Sequence, residues 1–117
     1  MLWPMSNPQE PGGEPTLYAV AGGVATITLN MPERKNALNE LLVNSLSLNL
    51  DRALADDGVR AIVLTNAGNT FCAGADLKAA VPGVTPSTPQ RSFLDVMNQI
   101  LDSPKPVIGR IDGHAAA

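Results

Sequence analysis

The chain has 117 residues, of which 44% are hydrophobic and only 3% aromatic, and its net charge is −3. This length and composition fit one soluble domain, or part of one, with a core of aliphatic side chains. The acidic balance and the lack of a lysine or arginine run argue against nucleic acid or an anionic membrane as a partner. No apolar run approaches the roughly 20 residues that span a bilayer, and no secretory signal is evident, so we expect a cytoplasmic protein.

Two segments of different composition come first. Residues 1–15 contain four prolines and a Gly-Gly pair, which favour neither helix nor strand, so we predict a disordered leader there. From Thr16 onward, β-branched and aliphatic residues flank Gly22 and Gly23. A Gly-Gly pair between such runs is typical of a tight hairpin. We therefore predict two strands joined at these glycines, opening a domain over residues 16–117.

A long helix follows a polar loop. Residues 30–35 are polar and include a proline, and Asn36 is placed to cap a helix that begins near Ala37. We expect the helix to end before Gly58. Its predicted buried face has the three-and-four spacing of a helix: Leu38, Leu41, Leu42, Leu46, Leu50, Ala53 and Leu54.

The second half of the chain alternates strands and helices. Residues 61–64 are continuously aliphatic, which favours a strand in a parallel sheet. A short helix is expected after Asp76, and Thr88 followed by Pro89 resembles the start of another helix. The predicted apolar face of that helix and the strand that follows are formed by Phe93, Met97, Ile100 and Leu101, and by Val107, Ile108 and Ile111.

The segment over residues 70–77 carries the clearest chemical signal, because it lies between a buried strand and a helix start. Gly74 can adopt dihedral angles closed to other residues and so turn the next amide outward. An outward backbone N–H at a helix N-terminus is a good donor to an anion. The alternative is a turn of small residues that packs closely and binds nothing.

Two other segments complete the pattern. Residues 30–38 place Arg34 and Lys35 directly before the long helix, where the two cations could hold phosphates or could simply be solvated. Residues 105–115 form a strand that leads into a turn at Asp112 and Gly113.

These three segments, in this order, resemble the crotonase (enoyl-CoA hydratase/isomerase) family. The matches are an Asn-x-Pro-x-x-x-Asn-Ala-Leu loop, a Phe-Cys-Ala-Gly-Ala-Asp-Leu loop and a Lys-Pro-Val-Ile strand leading to Gly-His-Ala, within residues 17–117. The resemblance implies an α/β fold, a spiral of ββα units, here truncated after the first units. It also implies an acyl-CoA substrate, assembly of the full-length protein into homo-trimers or hexamers, and no metal or tightly bound cofactor.

The resemblance also assigns site residues. In the family, the thioester oxygen is bound by two backbone amides, and the first corresponds to Ala75, the residue after Gly74. Such donors stabilise an enolate, and losing one costs about 10²- to 10³-fold in rate. The surface for coenzyme A is expected to comprise Arg34, Lys35, Ala37, Ala73, Ala75, Asp76, Leu77 and Lys78.

Other parts of the family site are not matched. The second amide is expected immediately past Ala117, and the glutamates that move protons and water further on. We therefore expect enoyl-CoA hydration by the parent protein and no turnover by these 117 residues alone. Isomerase, acyl-CoA hydrolase, decarboxylase and dehalogenase activities stay open. So do a non-catalytic acyl-CoA-binding or assembly fragment, and an ordinary α/β domain that matches by chance.

Two single residues could suggest other chemistry. Cys72 could be a nucleophile, but no paired base is evident, and the resemblance gives its position a packing role. His114, the only histidine, occupies a position that is often aromatic in the family, so we expect packing or pocket lining. We also expect exposed apolar surface and poor solubility of the fragment.

Overall fold

The first two strands form a hairpin in this computed structural model, which describes residues 14–74 and 92–115. Strand β1 (Thr16–Ala21) runs antiparallel to β2 (Val24–Leu29). Gly22 and Gly23 join them with φ angles of 57° and 79°, which few other residues adopt without strain. The predicted hairpin is confirmed.

The long helix, α1 (Glu40–Ala55), begins later than predicted. Its N-cap is Asn39, whose side-chain oxygen accepts the Leu42 N–H at 2.8 Å. The expectation that Asn36 caps the helix is therefore wrong. Asn36 lies in a left-handed turn with φ of 52°, after a 3₁₀ helix at Pro32–Arg34. Its side chain donates a hydrogen bond to the Thr70 carbonyl instead of capping α1.

The remaining elements repeat a strand–strand–helix order. They are β3 (Ala61–Asn66), β4 (Thr70–Cys72), α2 (Phe93–Leu101), β5 (Val107–Gly109) and β6 (His114–Ala115).

Within the described ranges, the strands form two sheets. The larger has the order β1-β2-β3-β5, and β3 is parallel to both its neighbours. The smaller pairs β4 with β6, also in parallel. Because β5 and β6 repeat the placement of β3 and β4 one step along each sheet, successive units stack as a spiral. The predicted α/β spiral of ββα units is confirmed.

Helix α1 covers one side of the larger sheet and forms the core with it. Ile27 of β2, Ile62 of β3, and Leu42 and Leu50 of α1 are each at most 1% exposed. The three-and-four spacing predicted most of this face correctly, but Leu41 is 66% exposed, since it lies on the outer side of α1.

Helix α2 packs differently from the prediction. It begins after Ser92, which forms a reciprocal capping box with Asp95, so the expected start at Thr88 is wrong for this helix. Val96, only 1% exposed, is its buried residue, whereas Phe93 and Leu101 are 47% and 75% exposed. The predicted apolar face exists but is largely uncovered.

Some predictions fall on other parts of the chain. Thr88, Pro89 and the short helix expected after Asp76 lie outside the described residues. So does most of the predicted leader, but the carbonyl oxygens of Glu14 and Pro15 accept hydrogen bonds from Asn30 at 3.0 and 2.8 Å. Ordered contacts therefore extend at least to residue 14. Among the described residues, no helix has the length and apolarity to cross a membrane.

Candidate functional site

The three predicted segments come together at strand β4. On one side, β6 pairs with it in parallel, with Thr70 opposite His114 and Cys72 opposite Ala115. The His114 N–H also donates to the Asn69 carbonyl at 3.2 Å. The segment over residues 105–115 is therefore held directly against the segment that begins at Thr70.

The loop over residues 30–38 reaches the same place through Asn36. The Asn36 side-chain amide donates to the carbonyl oxygens of Thr70 at 2.8 Å and Ala67 at 3.3 Å. Its side-chain oxygen accepts the Met31 N–H at 2.7 Å, which closes the loop on itself. Asn36 is fully buried, so these bonds replace water that the amide would otherwise bind.

A backbone hydrogen bond extends this contact to Gly74. The Leu38 N–H donates to the Gly74 carbonyl at 2.8 Å, and the Gly74 N–H donates to the Cys72 sulfur at 3.4 Å. Gly74 has φ of 93°, as the sequence predicts for a residue that redirects the chain. The residue before the predicted oxyanion donor is therefore fixed by the neighbouring loop.

Four of the residues predicted to bind coenzyme A lie in the described part of the chain, in the two loops that this contact joins. Arg34 and Lys35 are exposed at the end of the 3₁₀ helix, Ala37 is half-buried, and Ala73 is exposed immediately before Gly74. Lys35 has φ of 54°, and its N–H donates to the Pro32 carbonyl at 3.0 Å. The structure thus brings the two predicted loops together. The other predicted residues, Ala75, Asp76, Leu77 and Lys78, lie outside the described residues.

The two residues that suggested other chemistry have different surroundings. Cys72 is a buried free cysteine beside the Gly74 amide, and His114 is exposed on β6. Across residues 14–74 and 92–115, no group of three or more His, Cys, Asp or Glu side chains is arranged to hold a metal.

Two contacts near the site were not predicted from the sequence. The Asn66 side chain donates to the Asp112 carbonyl at 2.9 Å and accepts the Asp112 N–H at 3.0 Å, which ties β3 to the turn before β6. Gly113 has φ of 100°, and a Cβ there would lie 1.9 Å from the Asn69 oxygen. The Asp-Gly pair predicted a turn, but nothing in the sequence indicates this close approach.

A concavity of about 630 Å³ lies elsewhere, between α1 and the residues before β1. It is open and is lined by polar and apolar side chains that include Glu40, Leu48 and Arg52. None of the described residues in the three segments lines it. The concavity therefore does not coincide with the candidate site.

Comparison with known proteins agrees with the fold and the three segments. The family described as enoyl-CoA hydratase/isomerase matches residues 19–117. A probable enoyl-CoA hydratase, echA6, of Mycobacterium bovis is 45% identical over 95 residues, 81% of this chain and 37% of that protein. The 1,2-epoxyphenylacetyl-CoA isomerase of Escherichia coli is 37% identical over 86% of this chain and 40% of that protein.

Solved structures lead to the same family. An enoyl-CoA hydratase/isomerase from Pseudoalteromonas atlantica superposes with a TM-score of 0.72 at 34% identity, covering 81% of this chain and 38% of that one. The chain thus spans about two fifths of the length of these relatives, from 37% to 40%. Since the family match covers most of the chain, and the strand pairing brings together the segments that carry it, the chain belongs to the enoyl-CoA hydratase/isomerase family.

Proposed function

We propose that the complete protein binds an acyl-CoA thioester and adds water to a 2-enoyl-CoA. The observation that carries this proposal is the hydrogen bond from the Leu38 N–H to the Gly74 carbonyl at 2.8 Å. It joins the loop with the two exposed cations to the residue that precedes the proposed oxyanion donor. One short contact therefore supports the proposal that the two loops form the two ends of one site.

The Ala75 N–H is the proposed donor to the thioester oxygen. The residue before it, Gly74, is held by the hydrogen bond from the Leu38 N–H to its carbonyl oxygen. A backbone donor after Gly74 would lower the energy of the charge that develops on the thioester oxygen when water adds to the enoyl group.

Arg34 and Lys35 are the proposed partners of the coenzyme A phosphates. Both are exposed and adjacent, Arg34 as the last residue of the 3₁₀ helix and Lys35 as its C-cap, and guanidinium and ammonium groups both bind phosphate. Ala37 and Ala73 would line the same surface, and we propose that Asp76, Leu77 and Lys78 extend it. Coenzyme A enters as part of the substrate, and the proposal requires no tightly bound cofactor.

A second candidate is isomerisation of an acyl-CoA. It is favoured by the 37% identity to the 1,2-epoxyphenylacetyl-CoA isomerase over 86% of this chain. Acyl-CoA hydrolysis would use the same polarised thioester. For the complete protein we further propose a homo-trimer or hexamer located in the cytoplasm.

The first experiment is the intact mass of the natural protein, followed on the same sample by the loss of crotonyl-CoA absorbance. Steady hydration would support the proposal, and rearrangement of an acyl-CoA without hydration would favour the isomerase. A polypeptide of these 117 residues is expected to show no turnover. If the natural protein has that mass and binds coenzyme A without turnover, it is instead an acyl-CoA-binding or assembly fragment.

The phosphate contact can be tested separately with two substrates. In Arg34→Gln, we expect KM to rise for crotonyl-CoA but not for crotonyl-pantetheine, which lacks the nucleotide phosphates. Arg60→Gln is the matched control. Arg60 is an exposed arginine just before the start of β3, whereas the candidate site lies beyond the end of β3. An equal rise of KM for both substrates would contradict the assignment of Arg34.

A further inference from the structure

Asn36 combines a conformation and a set of contacts that few other residues could supply. Its φ of 52° lies in the left-handed region, where asparagine is tolerated far better than most residues. Its fully buried side chain accepts one hydrogen bond, from the Met31 N–H, and donates two, to the carbonyl oxygens of Ala67 and Thr70. The position therefore requires an acceptor, a donor and left-handed backbone in one residue.

These bonds join three separate parts of the chain. Met31 begins the loop with the cations, Ala67 lies in the turn between β3 and β4, and Thr70 is the first residue of β4. Close packing supports the same junction, because a Cβ at Gly68 would lie 2.8 Å from the Pro32 side chain. Leu38, two residues after Asn36, then donates to Gly74.

We propose that Asn36 is a positioning residue that sets the placement of Gly74, and so couples the loop carrying Arg34 and Lys35 to the thioester end of the site. The inference rests on the proposed function for its catalytic consequence, but the coupling itself is a property of the described residues. Because the Asn36 side chain is fully buried, it would act through Leu38 and Gly74 and not by touching the substrate.

Two substitutions separate the parts of this role. Asn36→Asp keeps the acceptor and tolerates the left-handed backbone, but an ionised carboxylate would face two carbonyl oxygens without a proton to donate. When protonated, the acid can donate to one of them, so acidification should restore part of the contact. Asn36→Gly fits the backbone but removes all three side-chain hydrogen bonds at every pH.

The kinetic test uses the complete natural protein and crotonyl-pantetheine. A misplacement of the reacting groups by about 1 Å can cost about 10²-fold, so we expect kcat to fall about 10- to 100-fold in both variants in mildly alkaline buffer. KM should change by less than about threefold, because the positioning acts mainly in the transition state. Acidification should raise the kcat of Asn36→Asp relative to wild type, whereas Asn36→Gly should show no recovery.

A structural readout needs no turnover. Amide hydrogen exchange of Leu38 should accelerate in both variants, and in Asn36→Asp it should slow again in acid relative to wild type. Val59→Ala is the control for general destabilisation, because Val59 is buried after α1 and makes no side-chain hydrogen bond to the loop. In that variant the exchange of Leu38 should change no more than that of other core amides.

The outcomes distinguish the inference from the proposed function. Unchanged Leu38 exchange and unchanged kcat in the Asn36 variants of an active protein would overturn the inference and leave the hydratase proposal standing. If Leu38 exchange is faster in the Asn36 variants but Val59→Ala loses as much kcat as they do, the inference is also overturned. The loss of kcat would then reflect general destabilisation. Acid-reversible Leu38 exchange in Asn36→Asp, together with no acyl-CoA turnover by the wild-type protein, would support the coupling and refute the proposed function.

Discussion

The two helices of the described chain have similar sequence patterns but opposite surroundings. On α1, Leu42 and Leu50 are at most 1% exposed and pack on the larger sheet. On α2, Leu94 and Leu101 are 67% and 75% exposed, and only Val96 is buried. An apolar side chain therefore identifies a helix face that can be buried, while the neighbouring elements decide whether it is buried.

The same difference extends to the sheet. Ile27 and Ile62, in the strands beneath α1, are completely buried, but Ile108 and Ile111, in and after β5, are 53% and 56% exposed. Stability should therefore be concentrated in the packed region formed by β1, β2, α1 and β3. The exposed region formed by α2 and β5 should contribute less and should favour association, as expected for large uncovered apolar patches.

The largest expected effect compares leucines near the start of each helix. Leu42→Ala should lower the free energy of unfolding by about 2–5 kcal/mol, because it leaves a cavity in the core. Leu94→Ala should change it by no more than about 0.5 kcal/mol, since the side chain is already in water. Urea unfolding measures both values, and Leu41→Ala is a control on the exposed side of α1. Equal losses at Leu42 and Leu94 would show that the exposed face is covered in solution.

Gly113→Ala should separate β6 from β4. A Cβ would lie 1.9 Å from the Asn69 oxygen, and φ is 100°, so the chain has to move. We expect a loss of about 1–3 kcal/mol. Gly22→Ala is the control, because its φ is 57° but nothing lies within 4 Å of the added Cβ. A loss at Gly113 no greater than at Gly22 would argue against the close approach.

Lys105 links the two regions and should have a smaller effect. Its ammonium group donates to the Ala53 and Asp56 carbonyl oxygens, both at 2.8 Å. Lys105, in the segment before β5, therefore caps the C-terminal end of α1. Lys105→Met keeps the apolar stem but removes both bonds, and we expect a loss of about 1–2 kcal/mol. In thermal unfolding, the Tm of Lys105→Arg should be closer to that of wild type than the Tm of Lys105→Met. Equal Tm values for the two variants would mean that the cap contributes nothing to stability.

Local signals in the sequence predicted much of the fold. The Gly-Gly turn, the helical spacing of α1 and the aliphatic run of β3 each depend on neighbouring residues, and the structure confirms all three. The N-cap of α1 is Asn39 and not the predicted Asn36. The Asn36 side chain instead donates to the carbonyl oxygens of Ala67 and Thr70, which are distant in sequence, so neighbouring residues do not reveal its role.

The site was predictable in its parts more than in its assembly. The three segments were recognisable by their residues, and Gly74 was expected to have unusual dihedral angles. The contact from Leu38 to Gly74 and the tie from Asn66 to Asp112 had no sequence signal, since they involve backbone groups across separate elements. The roles of Ala75, Asp76, Leu77 and Lys78 stay predictions.

The smallest expected effect concerns an imperfect contact inside the packed region. The Tyr18 hydroxyl is buried and has no hydrogen-bond partner among the described residues, while the Arg52 guanidinium lies 4.3 Å from the centre of its ring. Tyr18→Phe removes the unpaired hydroxyl and keeps the ring contact. Because an unsatisfied buried polar group is costly, the variant should be as stable as wild type or up to about 1 kcal/mol more stable at neutral pH.

The pH dependence tests the same contact. Burial raises the pKa of Tyr18 above 10.0, with Asp56 acting in the same direction and Arg52 opposing. A raised pKa means that the folded state holds the proton more tightly than the unfolded state. The stability from this group is therefore present below about pH 10 and is lost as pH rises through the folded-state pKa. Tyr18→Phe should lose less stability in alkali than wild type. Since Tyr18 is the only tyrosine in the chain, tyrosinate absorbance measures its pKa directly, and a midpoint below 10.0 would contradict the burial of the hydroxyl.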